Sequence, residues 1–116
     1  MEIIHKNSAK NGLFIAQEDG QRIGYISYDW FEPNILGLMH TVVNPEYRGH
    51  GVAKALLDAT VKYARENGIL IHAVCSYAVR EFQNPEYDDV NYYALDFPPS
   101  SMKEKQKKNQ QNSCGE

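Results

Sequence analysis

The sequence predicts a mixed α/β fold: a mostly antiparallel sheet closed by one βαβ crossover. Three observations predict it. Turn dipeptides punctuate a strand-rich first third, a single amphipathic helix follows a loop with glycines at 49 and 51, and an apolar strand-like run follows that helix. A chain of 116 residues, 42% hydrophobic, has room for one domain with one sizeable core. The expected domain is 1–99, and the polar lysine- and glutamine-rich segment 100–116 reads as a disordered tail.

In chain order, EIIHKN (2–7) is a short β-prone run. Asn11-Gly12 and Asp19-Gly20 are tight-turn signals, since glycine tolerates positive φ. LFIAQE (13–18) and RIGYISYDW (22–30) supply apolar and aromatic strand residues, and EPN (32–34) makes another turn. ILGLMHTVV (35–43) reads as a central strand, ended by Asn44-Pro45 because proline cannot donate to the ladder. The helix is predicted from Gly51 to Glu66, with Val52, Leu56, Ala59 and Tyr63 as its apolar stripe. Gly68 suits a left-handed cap. ILIHAVC (69–75) is a buried-looking strand, parallel to 35–43 because the crossover between them has βαβ length. SYAVREFQN (76–84) is a short helix limited by Pro85, and the pattern from Tyr87 to Phe97 is ambiguous.

Composition narrows the function classes. Four lysines against two glutamates give residues 101–116 a charge of +2, so a net −3 leaves −5 on the rest. That balance disfavours nucleic acid as a partner and favours a cationic substrate. No stretch reaches the roughly 18 apolar residues needed to span a bilayer, and no basic, apolar signal segment follows Met1. Cys75 and Cys114 are too few for a disulfide scaffold and read as free thiols. A soluble cytoplasmic domain without membrane partners is expected; the oligomeric state is not read from the sequence, with a monomer favoured over pairing of an exposed sheet edge with a second copy. No histidine and carboxylate grouping has metal-site spacing, so no metal is expected.

The strongest local signal is PEYRGHGVAKALL (45–57). A helix N-terminus offers unpaired N–H groups and the positive end of the dipole, and preceding glycines let a phosphate come close. Gly49, His50, Gly51, Val52, Ala53 and Lys54 would supply backbone donors, and Arg48 and Lys54 charge. The P-loop string G-x-x-x-x-G-K-[ST] is absent. The dinucleotide fingerprint also fails, with Lys54 in the third glycine slot and Ile69-Leu70-Ile71 where an acidic residue belongs. Arg48-Gly49-His50-Gly51-Val52-Ala53 reads as R-x-x-G-x-A.

That motif, with TVVNPEYRG before it, resembles the pyrophosphate-binding segment of the GNAT N-acetyltransferases, [QR]-x-x-G-x-[GA]. The resemblance covers residues 35–75 well and the earlier strands in outline. It implies a GNAT-like fold, acetyl-CoA or coenzyme A as co-substrate, and acetyl transfer to a primary amine on a small molecule or peptide. By position it implies that Thr41, Val42 and Val43 offer backbone groups to the pantetheine arm, and Gly49 to Lys54 hold the pyrophosphate. The chain departs from the usual family in having no room for two helices between its first strands. It also lacks N-x-x-A with a later tyrosine, which leaves the acid for the thiolate unassigned. HTVV and CSY match the minimal single-domain GNAT-like subgroup. A non-catalytic CoA-binding module is the alternative reading.

Two side chains are candidates for the chemistry. His40, near the end of 35–43, is titratable near neutrality and is read either as a base for the amine or as a half-buried strand histidine. Cys75 is read either as a nucleophile activated by His40 or as a small buried hydrophobe. Strands that end together would bring the two into one cleft. His5 and His72 read as structural, and Tyr77 and Tyr87 follow Cys75 closely enough to line that cleft.

Overall fold

The computed structural model describes residues 1–93. The expected domain boundary at 99, the tail and Cys114 lie outside the described residues. Five strands form one sheet in the order β1 (Glu2–Asn7), β2 (Asn11–Glu18), β3 (Gln21–Glu32), β4 (Ile35–Val43) and β5 (Leu70–Ala73). The first four are an antiparallel meander, while β5 runs parallel to β4 after the crossover through helix α1 (Val52–Asn67). Helix α2 (Ser76–Glu81) and a short 3-10 turn at Pro85–Tyr87 follow.

The predicted elements form with shifted ends. Asp19 and Gly20, at φ 51° and 80°, make the hairpin turn between β2 and β3. Asn11-Gly12 does not make a turn. The reversal lies just before it, where Ser8 N–H donates to the Asn11 carbonyl, and Gly12 is already a strand residue opposite Tyr28. A Cβ at Gly12 would lie 2.3 Å from the Tyr28 ring, so the glycine is there for close approach.

Helix α1 covers one face of the sheet. Val52, Leu56, Leu57 and Val61 pack onto Phe14, Ile26, Tyr28, Leu36 and Leu38 in one core. The buried stripe is rotated from the expected one: Thr60 and Ala64 are inside, whereas Ala59 and Tyr63 lie at its margin. Thr60 escapes a desolvation penalty because its hydroxyl donates 2.8 Å back to the Leu56 carbonyl. Gly68 closes the helix in the left-handed conformation.

The two histidines read as structural are tied into the fold. His5 stacks on Phe14 and meets the Tyr28 hydroxyl at 2.6 Å. His72 stacks on Tyr92 and meets the Tyr93 hydroxyl at 2.6 Å. Burial holds His72 at a pKa of about 4, below its ordinary 6.5. The depressed value means that the unfolded chain takes up the proton first. The stabilisation is full above pH 6.5 and drains away as pH falls toward 4. A pH series of urea midpoints should therefore fall over that window, and His72→Asn should flatten the slope.

Candidate functional site

The site begins where the two parallel strands part. β5 pairs with β4 only from Ile35–Leu70 to Leu38–Ala73. Val74 and Cys75 then both donate to the Leu38 carbonyl, each at 3.0 Å, and the chain turns into α2. Beyond Leu38, β4 continues to Val43 with β3 on one side and, among the described residues, no strand on the other. The antiparallel ladder alternates, and Asn44 N–H donates to the Ile23 carbonyl. Thr41 and Val43 therefore turn their backbone N–H and C=O groups toward the side that β5 has left.

This open edge runs into the glycine loop. Asn44 caps the 3-10 turn Pro45–Tyr47 through its side chain, which accepts from Glu46 N–H. Gly49 and Gly51 then take φ of 83° and 79°, a conformation that costs side chains with a Cβ. The first helical bond runs from Ala55 N–H to the Gly51 carbonyl. Among the described residues, the N–H groups of Gly49, Gly51, Val52, Ala53 and Lys54 have no backbone acceptor. His50 differs, because its N–H donates to the Tyr47 carbonyl at 3.3 Å. The donor expected from His50 is thus already used.

Edge and loop open on a cavity of about 620 Å³. Of the cofactor-binding residues expected from the sequence, all but His50 line it: Thr41, Val42, Val43, Arg48, Gly49, Gly51, Val52, Ala53 and Lys54. Tyr47, Tyr77 and Arg80 complete the lining. The sequence places Tyr77 only near a cleft and does not point to Tyr47 or Arg80. One signal was available: residues three apart on a helix share a face, which puts Tyr77 and Arg80 together.

The Lys54 side chain is not free for phosphate. Its ammonium donates to the Tyr87 hydroxyl at 2.7 Å and to Asp58 at 2.9 Å, and these bonds push its pKa up. Tyr87, almost fully buried, also donates to Asp58 at 3.2 Å. Lys54 thereby ties α1 to the segment after α2, and its contribution to the cavity is the backbone N–H.

The expected pairing of His40 with Cys75 does not form. His40 lies opposite Ser27, whereas Thr41 lies opposite Ile26, and cross-strand partners share a face. Ile26 belongs to the core under α1, so His40 sits exposed on the far side of the sheet. The cause is a bulge: the register steps from Ser27–His40 to Tyr28–Leu38, and the extra Met39 shifts the alternation. Cys75, a free thiol, instead lies 3.4 Å from the Thr41 hydroxyl and accepts from Ala78 N–H at 3.4 Å as the cap of α2. It stands one side chain behind the cavity wall. The Tyr77 phenol is in the lining itself, and burial, with Glu81 nearby, raises its pKa.

Among the described residues, no cluster of His, Cys, Asp or Glu is arranged for a metal ion, and no helix is long and apolar enough to cross a membrane.

Comparison with known proteins matches this architecture. A family model described as GCN5-related N-acetyl-transferase matches residues 13–90. An uncharacterized N-acetyltransferase of Archaeoglobus fulgidus is 35% identical over 63 residues, covering 49% of this chain and 43% of the relative. Protein NATD1 of Homo sapiens is 35% identical over 63 residues, covering 52% and 56% respectively. The chain spans about half the length of these curated relatives. A GCN5-like protein of Staphylococcus aureus superposes with a TM-score of 0.58 at 30% identity, over 84% of this chain and 92% of that one. A Bacillus anthracis protein solved in complex with acetyl coenzyme A superposes at TM-score 0.54 and 25% identity, over 66% and 46%.

Proposed function

This chain belongs to the GCN5-related N-acetyltransferase family, and from that premise we propose that it is an acetyl-CoA-dependent N-acetyltransferase acting on a primary amine. The observation that carries the proposal is the continuity of donors, from the vacated edge at Thr41 and Val43 to the free N–H groups at Gly49 and Gly51–Lys54, along one cavity. Such a row fits a long ligand with an amide-bearing arm at one end and a diphosphate at the other. The glycines fit it too, since a Cβ on Gly49 or Gly51 would meet no protein atom within 4 Å.

The residues divide the work as follows. The loop N–H groups and Arg48 bind the pyrophosphate, and the edge of β4 aligns the pantetheine arm. The neutral amine attacks the thioester carbonyl, the carbon–sulfur bond breaks, and the CoA thiolate leaves. Tyr77, kept protonated by its raised pKa, gives that thiolate its proton, and the proton lost by the attacking amine returns through water to the Tyr77 phenolate. His40, on the other face of the sheet, has no part in this scheme, and without it Cys75 lacks the base that a covalent route requires. Transfer is therefore direct. The free Cys75 thiol fits a reducing, cytoplasmic compartment.

The test is release of CoA in the presence of a panel of amines. Amine-dependent release is expected, and Cys75→Ala should retain it within about threefold with no acetyl on Cys75 by mass spectrometry. An acetyl-Cys75 whose loss abolishes turnover would replace direct transfer with the covalent route. The separation of His40 from Cys75 also favours a second reading, a CoA-binding module without catalysis. That one predicts CoA binding with no amine-dependent release.

A further inference from the structure

Strand β1 is the outermost strand of the sheet, at the edge away from β5 and the cavity. Ser8 N–H donates to the Asn11 carbonyl, and the ladder alternates from that pair. Glu2, Ile4 and Lys6 therefore turn their backbone groups toward β2, while Ile3, His5 and Asn7 turn theirs outward. Among the described residues, no strand meets them there. Proteins blunt such an edge with proline, a bulge or an unmatched charge. β1 has no proline, and it pairs without a bulge from Glu2–Gln17 to Asn7–Gly12. Its two charges, Glu2 and Lys6, are exposed, and neither makes an ion pair among the described residues.

From this pattern we infer that β1 pairs antiparallel with β1 of a second copy, with Ile4 on the two-fold axis, joining two five-stranded sheets into one. Outward-facing residues meet only outward-facing ones, so the axis of a self-pair passes through a residue and its own copy. An axis at Ile4 sets Glu2 opposite Lys6 of the second copy, and Lys6 opposite its Glu2. Ile3 then exchanges backbone hydrogen bonds with His5 of the second copy, and Ile4 packs on its own copy between the two charge pairs. The other registers lose this match. An axis at Ile3 sets Glu2 opposite Ile4, and one at His5 sets Lys6 opposite Ile4. The spacing of Glu2 and Lys6 thus turns an edge-guarding lysine into half of a self-complementary pair. The inference stands independently of the CoA site: the cavity opens beside β4, and pairing through β1 leaves it open.

The experiment is sedimentation equilibrium of the full chain for the wild type, Lys6→Glu, Glu2→Lys, the double variant and an equal mixture of the two single variants. One short strand per copy makes an interface at the small end of the range, below about 1,200 Å², so reversible dimerisation is expected below about 1 mM. Each single variant should weaken association about tenfold or more, because one change replaces attraction by repulsion at two symmetric positions. The double variant should dimerise like the wild type. The mixture should also form dimers, since one variant then presents two acids to the other's two lysines. Exchange of the Ile3 and His5 amides should slow as wild-type concentration rises. A wild type that stays monomeric to about 1 mM overturns the inference, whether its β1 amides exchange freely or are protected by another part of its own chain. So does a dimer that both single variants leave intact, or single variants whose mixture fails to associate.

Discussion

Tyr77→Phe is expected to lower kcat for acetyl transfer by about a hundredfold or more, with the KM for acetyl-CoA changed less than about threefold. The substitution removes one oxygen and keeps the ring that lines the cavity and packs against the core. It leaves the edge of β4 and the loop untouched, so binding persists. What disappears is a proton held at the wall of the cleft by a phenol whose pKa burial has raised. An aminolysis that must expel a thiolate without a proton loses the usual general-acid contribution, on the order of 10²–10⁴. In the wild type, rate should hold through pH 9, because the phenol titrates above its ordinary value of 10. A Tyr77→Phe enzyme with unchanged kcat would move the donor elsewhere.

Leu56→Ala should cost about 2–5 kcal/mol of stability, seen as a lower urea midpoint at unchanged slope. Leu56 is fully buried and joins Val52 and Leu57 in the helix face that packs on the sheet. Removing it leaves a cavity between two rigid elements, which collapses only in part. Natural domains hold roughly 5–15 kcal/mol in all, so this variant approaches the edge of folding. The same packing aims the first turn of α1 at the cavity. CoA should therefore raise the variant's melting temperature, while the affinity measured below its melting point falls.

The two substitutions probe parts that were unequally legible in the sequence. The loop was readable because its chemistry is local: Arg48, Gly49, Gly51 and the helix behind them are consecutive, and a motif needs only order. Fold class and the parallel crossover were readable for a similar reason, from turn residues and element lengths. Gly12 misled because a glycine that admits the Tyr28 ring is the same letter as one that makes a turn. The helix stripe was misplaced through Thr60, a polar residue that satisfies its hydroxyl on its own helix and is buried like an aliphatic one. His40 was misplaced by a single bulge residue, and sequence periodicity cannot register where a strand gains one. That the Lys54 ammonium also meets the Tyr87 hydroxyl depends on how the turn after α2 folds back, a contact made across 33 residues.

The central claim is that the open edge of β4 and the loop after it form a coenzyme A site. Titration calorimetry of the purified chain with acetyl-CoA tests it most directly, with ATP as the competing nucleotide and thermal melting as a parallel readout. The account predicts saturable binding of one acetyl-CoA per chain, a rise in melting temperature, and no displacement by equimolar ATP. Absence of both heat and melting shift at saturating acetyl-CoA, or displacement by ATP as readily as by CoA, would contradict it.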